Sequence, residues 1–278
     1  MREWLSRWAR WREARTLAKR AIPEPMWQAT LERFPFLTRR SMADLARLRE
    51  LATVFLTRKE FSGAAELQVT DAMAVAIAAQ ACVPVLELGL QCYDSFVGIV
   101  VHADAVGAPR EFVDEAGVVH HYIEELSGEA MDRGPLMLVW RDVAEAGESA
   151  AWGYNVVIHE FVHVLDMHAA RAGIGGAAGM PSWSRRLAAE FDRFVRRVDS
   201  GVDTLLDPYG AEAIEEFFAV AAETFFVAPV DFIREEPVLY RLLESFFRQS
   251  PAESAMLADR AAIKEQKKGA EAPFPDRR

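Results

Sequence analysis

Cysteine is scarce in this chain: Cys82 and Cys92 are the only two in 278 residues. Two thiols build no disulfide framework, so the fold must rest on an apolar core. The pair reads as buried thiols in a reducing compartment. Positive charge is also short, with 32 lysines and arginines against 42 acids and a formal net charge of −10. That balance excludes a general nucleic-acid binder, because neutralising phosphates needs a net basic surface. No clean apolar run is long enough to cross a membrane. The nearest, Ala72 to Leu90, carries Gln80, Pro84 and Glu87 and reads as a buried helix with a proline-marked end. The basic N-terminus has no apolar stretch behind it, so it is not a secretory signal. A cytoplasmic location is expected.

What is present is ample apolar material, 51% of the residues, which excludes a disordered chain. Residues 1–20 hold seven basic side chains against two acids, with Trp4, Trp8 and Trp11 on one helical stripe. They read as a helix or arm that packs its tryptophans, with an acidic partner or anionic lipid as the alternative. Ile22-Pro23-Glu24-Pro25 ends it. Ser41 to Asp44 forms a capping box ahead of Leu45, Leu48, Ala52 and Phe55 at helical spacing. Another helix begins near Thr70 or Asp71. Phe96 to His102 and Leu136 to Trp140 are strand-like, and Phe112-Val113 and Val118 to Tyr122 flank a hairpin turn. From Trp152 the pattern is helical almost to the end, and residues 264–278 are polar and read as disordered. Helices, then a small sheet, then helices give an α+β architecture.

The chemistry concentrates in Tyr154 to His168, where His159-Glu160-Phe161-Val162-His163 is an H-E-x-x-H motif. On a helix the two histidines lie on one face a turn apart and can share a single Zn²⁺, with Glu160 beside it to take a proton from water. Val157, Phe161, Val164 and Leu165 fall away from that face and would anchor the helix. Asp166 and Ala169 stand where the extended metzincin form needs glycine and a third histidine, so that form is excluded. His168 lies half a turn round the helix. His120 and His121 are adjacent on a strand and cannot chelate together, and they and His102 read as surface residues. The third ligand is therefore expected to be a carboxylate. Asp207 to Pro229 offers one: a turn, then a helix with Glu216 and Glu223 on a shared face among paired phenylalanines, and Glu215 pointing elsewhere. A cation would compensate an acid set among those rings. Asp166 either orients a ligand or caps the cleft. The glycine-rich Arg171 to Gly179 has no Gly-Lys-Ser/Thr and reads as a loop near the cleft, not a phosphate cradle.

These two helical motifs, with FLTRKEFSGAAEL, IAAQACVPVLELGLQCY and GPLMLVWRDV upstream, resemble the Mlc titration factor A family of zinc metallopeptidases over roughly residues 20 to 255. The Tyr-x6-Glu-Phe-Phe-Ala pattern is also similar to the catalytic domain of anthrax lethal factor. The resemblance implies one zinc per chain held by His159, His163 and Glu216, with Glu160 as general base and Tyr209 as hydrogen-bond donor in the transition state. It implies a single zincin-like domain over residues 21–263, mostly helical, with a small mixed sheet on the H-E-x-x-H helix. It further implies aminopeptidase-type cleavage of a peptide or protein. A glucose-responsive transcriptional repressor of the Mlc type is the implied partner. The rival reading is a regulatory protein that sequesters such a repressor.

Overall fold

A computed structural model describes residues 20–104, 106–113, 119–126, 128–130, 134–172, 181–258 and 260. The expected tryptophan-bearing helix of residues 1–20, the polar tail and most of the glycine-rich loop fall outside them. The first helices are α1 (Glu24–Arg33) and α2 (Met42–Arg58). Ser41 caps the start of α2 as expected, its Oγ accepting from the Asp44 backbone N–H at 3.1 Å, and the Asp44 carboxylate accepts the Ser41 hydroxyl at 2.7 Å. Strand β1 (Glu60–Gly63) leads to α3 (Asp71–Ala81), whose first turn is capped by Thr70 Oγ1. α3 is buried on almost every side, with Val75 to Ala81 all inaccessible, and it stops short of Pro84. The apolar run thus proves to be an internal helix, and no helix among the described residues is long and apolar enough to cross a membrane.

The strands β2 (Gly98–His102), β5 (Gly128–Ala130) and β6 (Leu136–Val139) join β1 in a sheet of order β1-β2-β6-β5. β1, β2 and β6 run parallel, and β5 is antiparallel to β6, so the sheet is mixed as expected. β3 (Val106–Val113) and β4 (Val119–Leu126) form the expected antiparallel hairpin as a separate pair. Trp140 does not extend β6; it opens α4 (Trp140–Ser149). Five helices complete the chain's named elements: α5 (Val156–Ala172), α6 (Pro181–Asp199), α7 (Ile214–Val227), α8 (Pro229–Glu235) and α9 (Pro237–Phe247). The architecture is mostly helical with a small sheet.

The helix carrying the motif is fixed by what lies beneath it. Phe161, fully buried, packs its ring 5.0 Å from Tyr93, 5.6 Å from Phe55 and 5.9 Å from Phe96. Such tilted and edge-on pairs each add about 0.5–1.5 kcal/mol beyond their burial. Lys59 closes this cluster: its ammonium lies 3.7 Å from the Phe96 ring centre and donates to the carbonyls of Tyr93 and Phe96. Val157, Val164 and Leu165 are buried as expected. On the far side α7 is clamped by a second aromatic group, in which Phe218 meets Trp183, Phe246 and Phe247, and Phe225 meets Tyr240. α5 and α7 are thus pressed together from both sides. Cys82 is buried, whereas Cys92 is only half-buried, because Leu90 and Tyr93 occupy the inner face of its 3₁₀ turn. That corrects the expectation of two buried thiols.

Candidate metal centre

Asn155 starts α5 by accepting the Ile158 N–H on its side-chain oxygen at 2.9 Å, which satisfies an otherwise orphaned donor of the first turn. Two residues earlier Gly153 has φ +83°, and a Cβ there would lie 3.0 Å from Thr224 Oγ1, so the chain enters the helix close against α7. From this start His159 and His163 face α7, while Phe161 faces the aromatic cluster.

The facing helix brings Glu216 to both imidazoles. Glu216 Oε2 lies 3.1 Å from His159 Nε2 and 3.3 Å from His163 Nε2, and the two Nε2 atoms are 3.1 Å apart. Two ring nitrogens and a carboxylate oxygen at the corners of one small triangle invite a cation between them. Tetrahedral zinc with ligand bonds of about 2.0–2.1 Å sets donor-to-donor edges of roughly 3.3 Å, close to the triangle observed. His159, His163 and Glu216 also form the sole grouping among the described residues able to hold a metal. The donor set fits zinc.

Glu223 does something different. Its Oε1 lies 2.7 Å from His159 Nδ1, and its Oε2 accepts the Asn155 backbone N–H. A carboxylate at Nδ1 keeps a proton there and leaves Nε2, which faces Glu216 and His163, as the nitrogen that would give up its proton to bind a metal. Sequence reasoning placed Glu223 on the right face but left it competing with Glu216. The signal that separates them is depth, since Glu223 is 2% exposed and the Glu216 side chain 22%. Glu215 is exposed, as expected of the neighbour that points away.

The charges respond to this crowding. Burial opposes a charged His159, but Glu223 and Glu216 outweigh it and hold its pKa well above the ordinary value. Burial alone would raise the Glu216 carboxyl, yet hydrogen bonds from both histidines pull it far below the usual carboxylate range. Glu160, next to His159 and almost inaccessible, is pushed up to about 7 by burial, with the two histidines resisting. An acid poised there suits proton transfer near neutrality. Burial and the charge of Glu215 raise Asp166, which makes no described hydrogen bond to either histidine.

Tyr209 reaches the site from a 3₁₀ turn, Pro208–Ala211, whose Asp207 accepts the Tyr209 N–H at 2.9 Å. The next residue, Gly210, sits so close that a Cβ would lie 3.4 Å from Phe217 Cα. Tyr209 is 43% exposed, and its ring centre lies 6.3 Å from that of His159. His102 ends β2, His120 and His121 occupy successive positions of β4, and His168 is on α5 beyond the triangle.

Comparison with known proteins agrees with a metal site of this kind. Residues 8–248 match the model of the glucose-regulated metallo-peptidase M90 family. The chain belongs to that family. It is 33% identical to Mlc titration factor A of Pectobacterium atrosepticum, over 81% of this chain and 86% of that protein. Mlc titration factor A of Serratia proteamaculans is 33% identical over 86% and 90% of the two chains. An uncharacterized protein of Synechocystis sp. is 34% identical over 88% and 90%. Membership in M90 makes the chain a metallopeptidase relative and its metal a family property.

Proposed function

We propose that the chain is a zinc-dependent peptidase with a zincin-like catalytic domain over residues 21–263, cutting peptides in the aminopeptidase manner. The observation that carries this reading is the triangle of His159, His163 and Glu216 with buried Glu160 beside it. Zinc bound there would supply Lewis-acid polarisation of the scissile carbonyl and acidify a water. Glu160, buried beside His159, would take a proton from the attacking water and later give it to the leaving amine. Glu223 holds His159 in one tautomer and one orientation throughout. The Tyr209 hydroxyl donates to the carbonyl oxygen as charge develops on it.

The name of the Pectobacterium and Serratia relatives suggests a repressor of the Mlc type as a partner of this chain. Sequestering a repressor is the second reading, and Glu160 favours the enzyme: a metal kept only for structure has no use for a buried acid poised near neutrality. The test is metal analysis of the purified protein, together with digestion of a peptide library by wild type and Glu160→Gln. One zinc per chain and cleavage lost in the variant are expected. Equal digestion by both proteins, or a wild type without metal, would end the peptidase reading.

A further inference from the structure

Three polar side chains lie in the apolar interior beneath the metal triangle: Gln80, Asn155 and Glu223, at 0%, 0% and 2% exposure. Buried polar groups at such depth need partners, and these find one another. Gln80, on α3, donates its amide to the Ala76 carbonyl at 3.1 Å and accepts from Asn155 Nδ2 at 2.8 Å. Asn155 accepts the Ile158 N–H on its side-chain oxygen and donates its own backbone N–H to Glu223. Glu223 holds His159.

The chain of contacts admits one assignment of its amides. The Ala76 carbonyl requires the nitrogen of Gln80, which leaves the Gln80 oxygen toward Asn155. Ile158 N–H requires the oxygen of Asn155, which leaves its nitrogen toward Gln80. An apolar side chain at 80 would strand the Asn155 NH₂ in the core, and a flip of that amide to escape would present a donor to Ile158 N–H. Either response disturbs the backbone N–H that grips Glu223.

We propose that Gln80 is a remote positioning residue for the metal, acting through Asn155 and Glu223 on the orientation of His159. The proposal rests on the zinc reading of the triangle, and it makes α3, which contributes no ligand, a determinant of how firmly the ion is held. Groups that orient a ligand from behind typically carry 10–100-fold in metal affinity. A residue two contacts further back should sit at the lower end, about tenfold.

The experiment measures release of Zn²⁺ from the full chain into excess chromogenic chelator. Gln80→Met cuts the relay from one side. Asn155→Ser cuts it from the other while keeping a hydroxyl to cap α5, which guards against a variant that fails to fold. Each should speed zinc release by about tenfold, and the double variant should be no faster than the worse single. In a Glu223→Gln background Gln80→Met should add little. Phe232→Leu, a core change on α8 that loosens the packing against Phe225 of α7 without touching the relay, serves as a control for general loosening. Release within about twofold of wild type for Gln80→Met, or an undiminished effect in the Glu223→Gln background, overturns the proposal; so does equal acceleration by Phe232→Leu. A wild type that binds no zinc overturns the metal reading and the relay together, whereas tight binding by both wild type and Gln80→Met removes the relay alone.

Discussion

Glu223 meets His159 at Nδ1, 2.7 Å away, while the opposite ring nitrogen of His159 is 3.1 Å from Glu216. One imidazole is held between two carboxylates seven residues apart on α7, and each addresses a different nitrogen. That divides their labour, since only the carboxylate on the Nε2 side shares its position with His163.

Glu223→Gln should therefore weaken zinc without abolishing the site. The amide keeps an oxygen for one contact but cannot accept from both His159 and Asn155 N–H in the same way. A loss of about 10–100-fold in zinc affinity is expected with the circular dichroism of the fold unchanged. Competition with a graded chelator series measures it, and unaltered affinity would return Glu223 to a purely structural role.

Glu216→Ala removes a corner of the triangle, so zinc retention should fall by orders of magnitude and hydrolysis with it. Glu215→Ala should change little, because that side chain is exposed and adjacent helical residues diverge by about 100°. Parallel chelator titrations of the two variants decide the matter. Metal lost from Glu215→Ala but kept by Glu216→Ala would shift the ligand by one residue.

Much of this site was legible because helical spacing alone brings His159 to His163 and Glu216 to the face of Glu223. The capped starts at Ser41 and Thr70, and the proline limit of α3, were equally readable, since local hydrogen bonding determines them. What escaped was non-local. β1, with the sequence EFSG, and the three-residue β5 lack a run of β-branched residues, and they are strands only because β2 and β6 lie beside them. Gln80 looked like a blemish in an apolar helix, and only the approach of Asn155 explains it. The same limit applied to Glu223, whose partner lies 64 residues away.

Glu160→Gln carries two expectations. With zinc present, metal should stay while hydrolysis falls by at least about a hundredfold, the usual scale for losing a general base. In the metal-free protein the variant should also be more stable than wild type at alkaline pH. The folded pKa of about 7 exceeds the ordinary 4.5, so ionising Glu160 in the fold costs stability as pH rises between those values. At ~1.4 kcal/mol per pH unit the ceiling is about 3 kcal/mol above neutrality, fading to nothing below the lower value. Denaturant melts across that range test it, and a gain that grows toward acid would reverse the assignment.

Tyr209→Phe isolates a single hydroxyl. The turn that carries Tyr209 is held by its backbone N–H to Asp207 and by the close seat of Gly210 on α7, and neither involves the phenol. Fold, zinc content and zinc release should therefore match wild type. Tyr209 is 43% exposed, and its ring stands beside His159 without lying among the ligand atoms. A hydrogen bond made mainly as the carbonyl oxygen gains charge lowers the barrier without tightening the ground state. The variant should thus lose about a hundredfold in kcat with KM little changed. A rise in KM at constant kcat would instead make Tyr209 a binding contact, and no change in either would leave it to the turn. Steady-state kinetics on the best peptide from the library distinguishes the three outcomes.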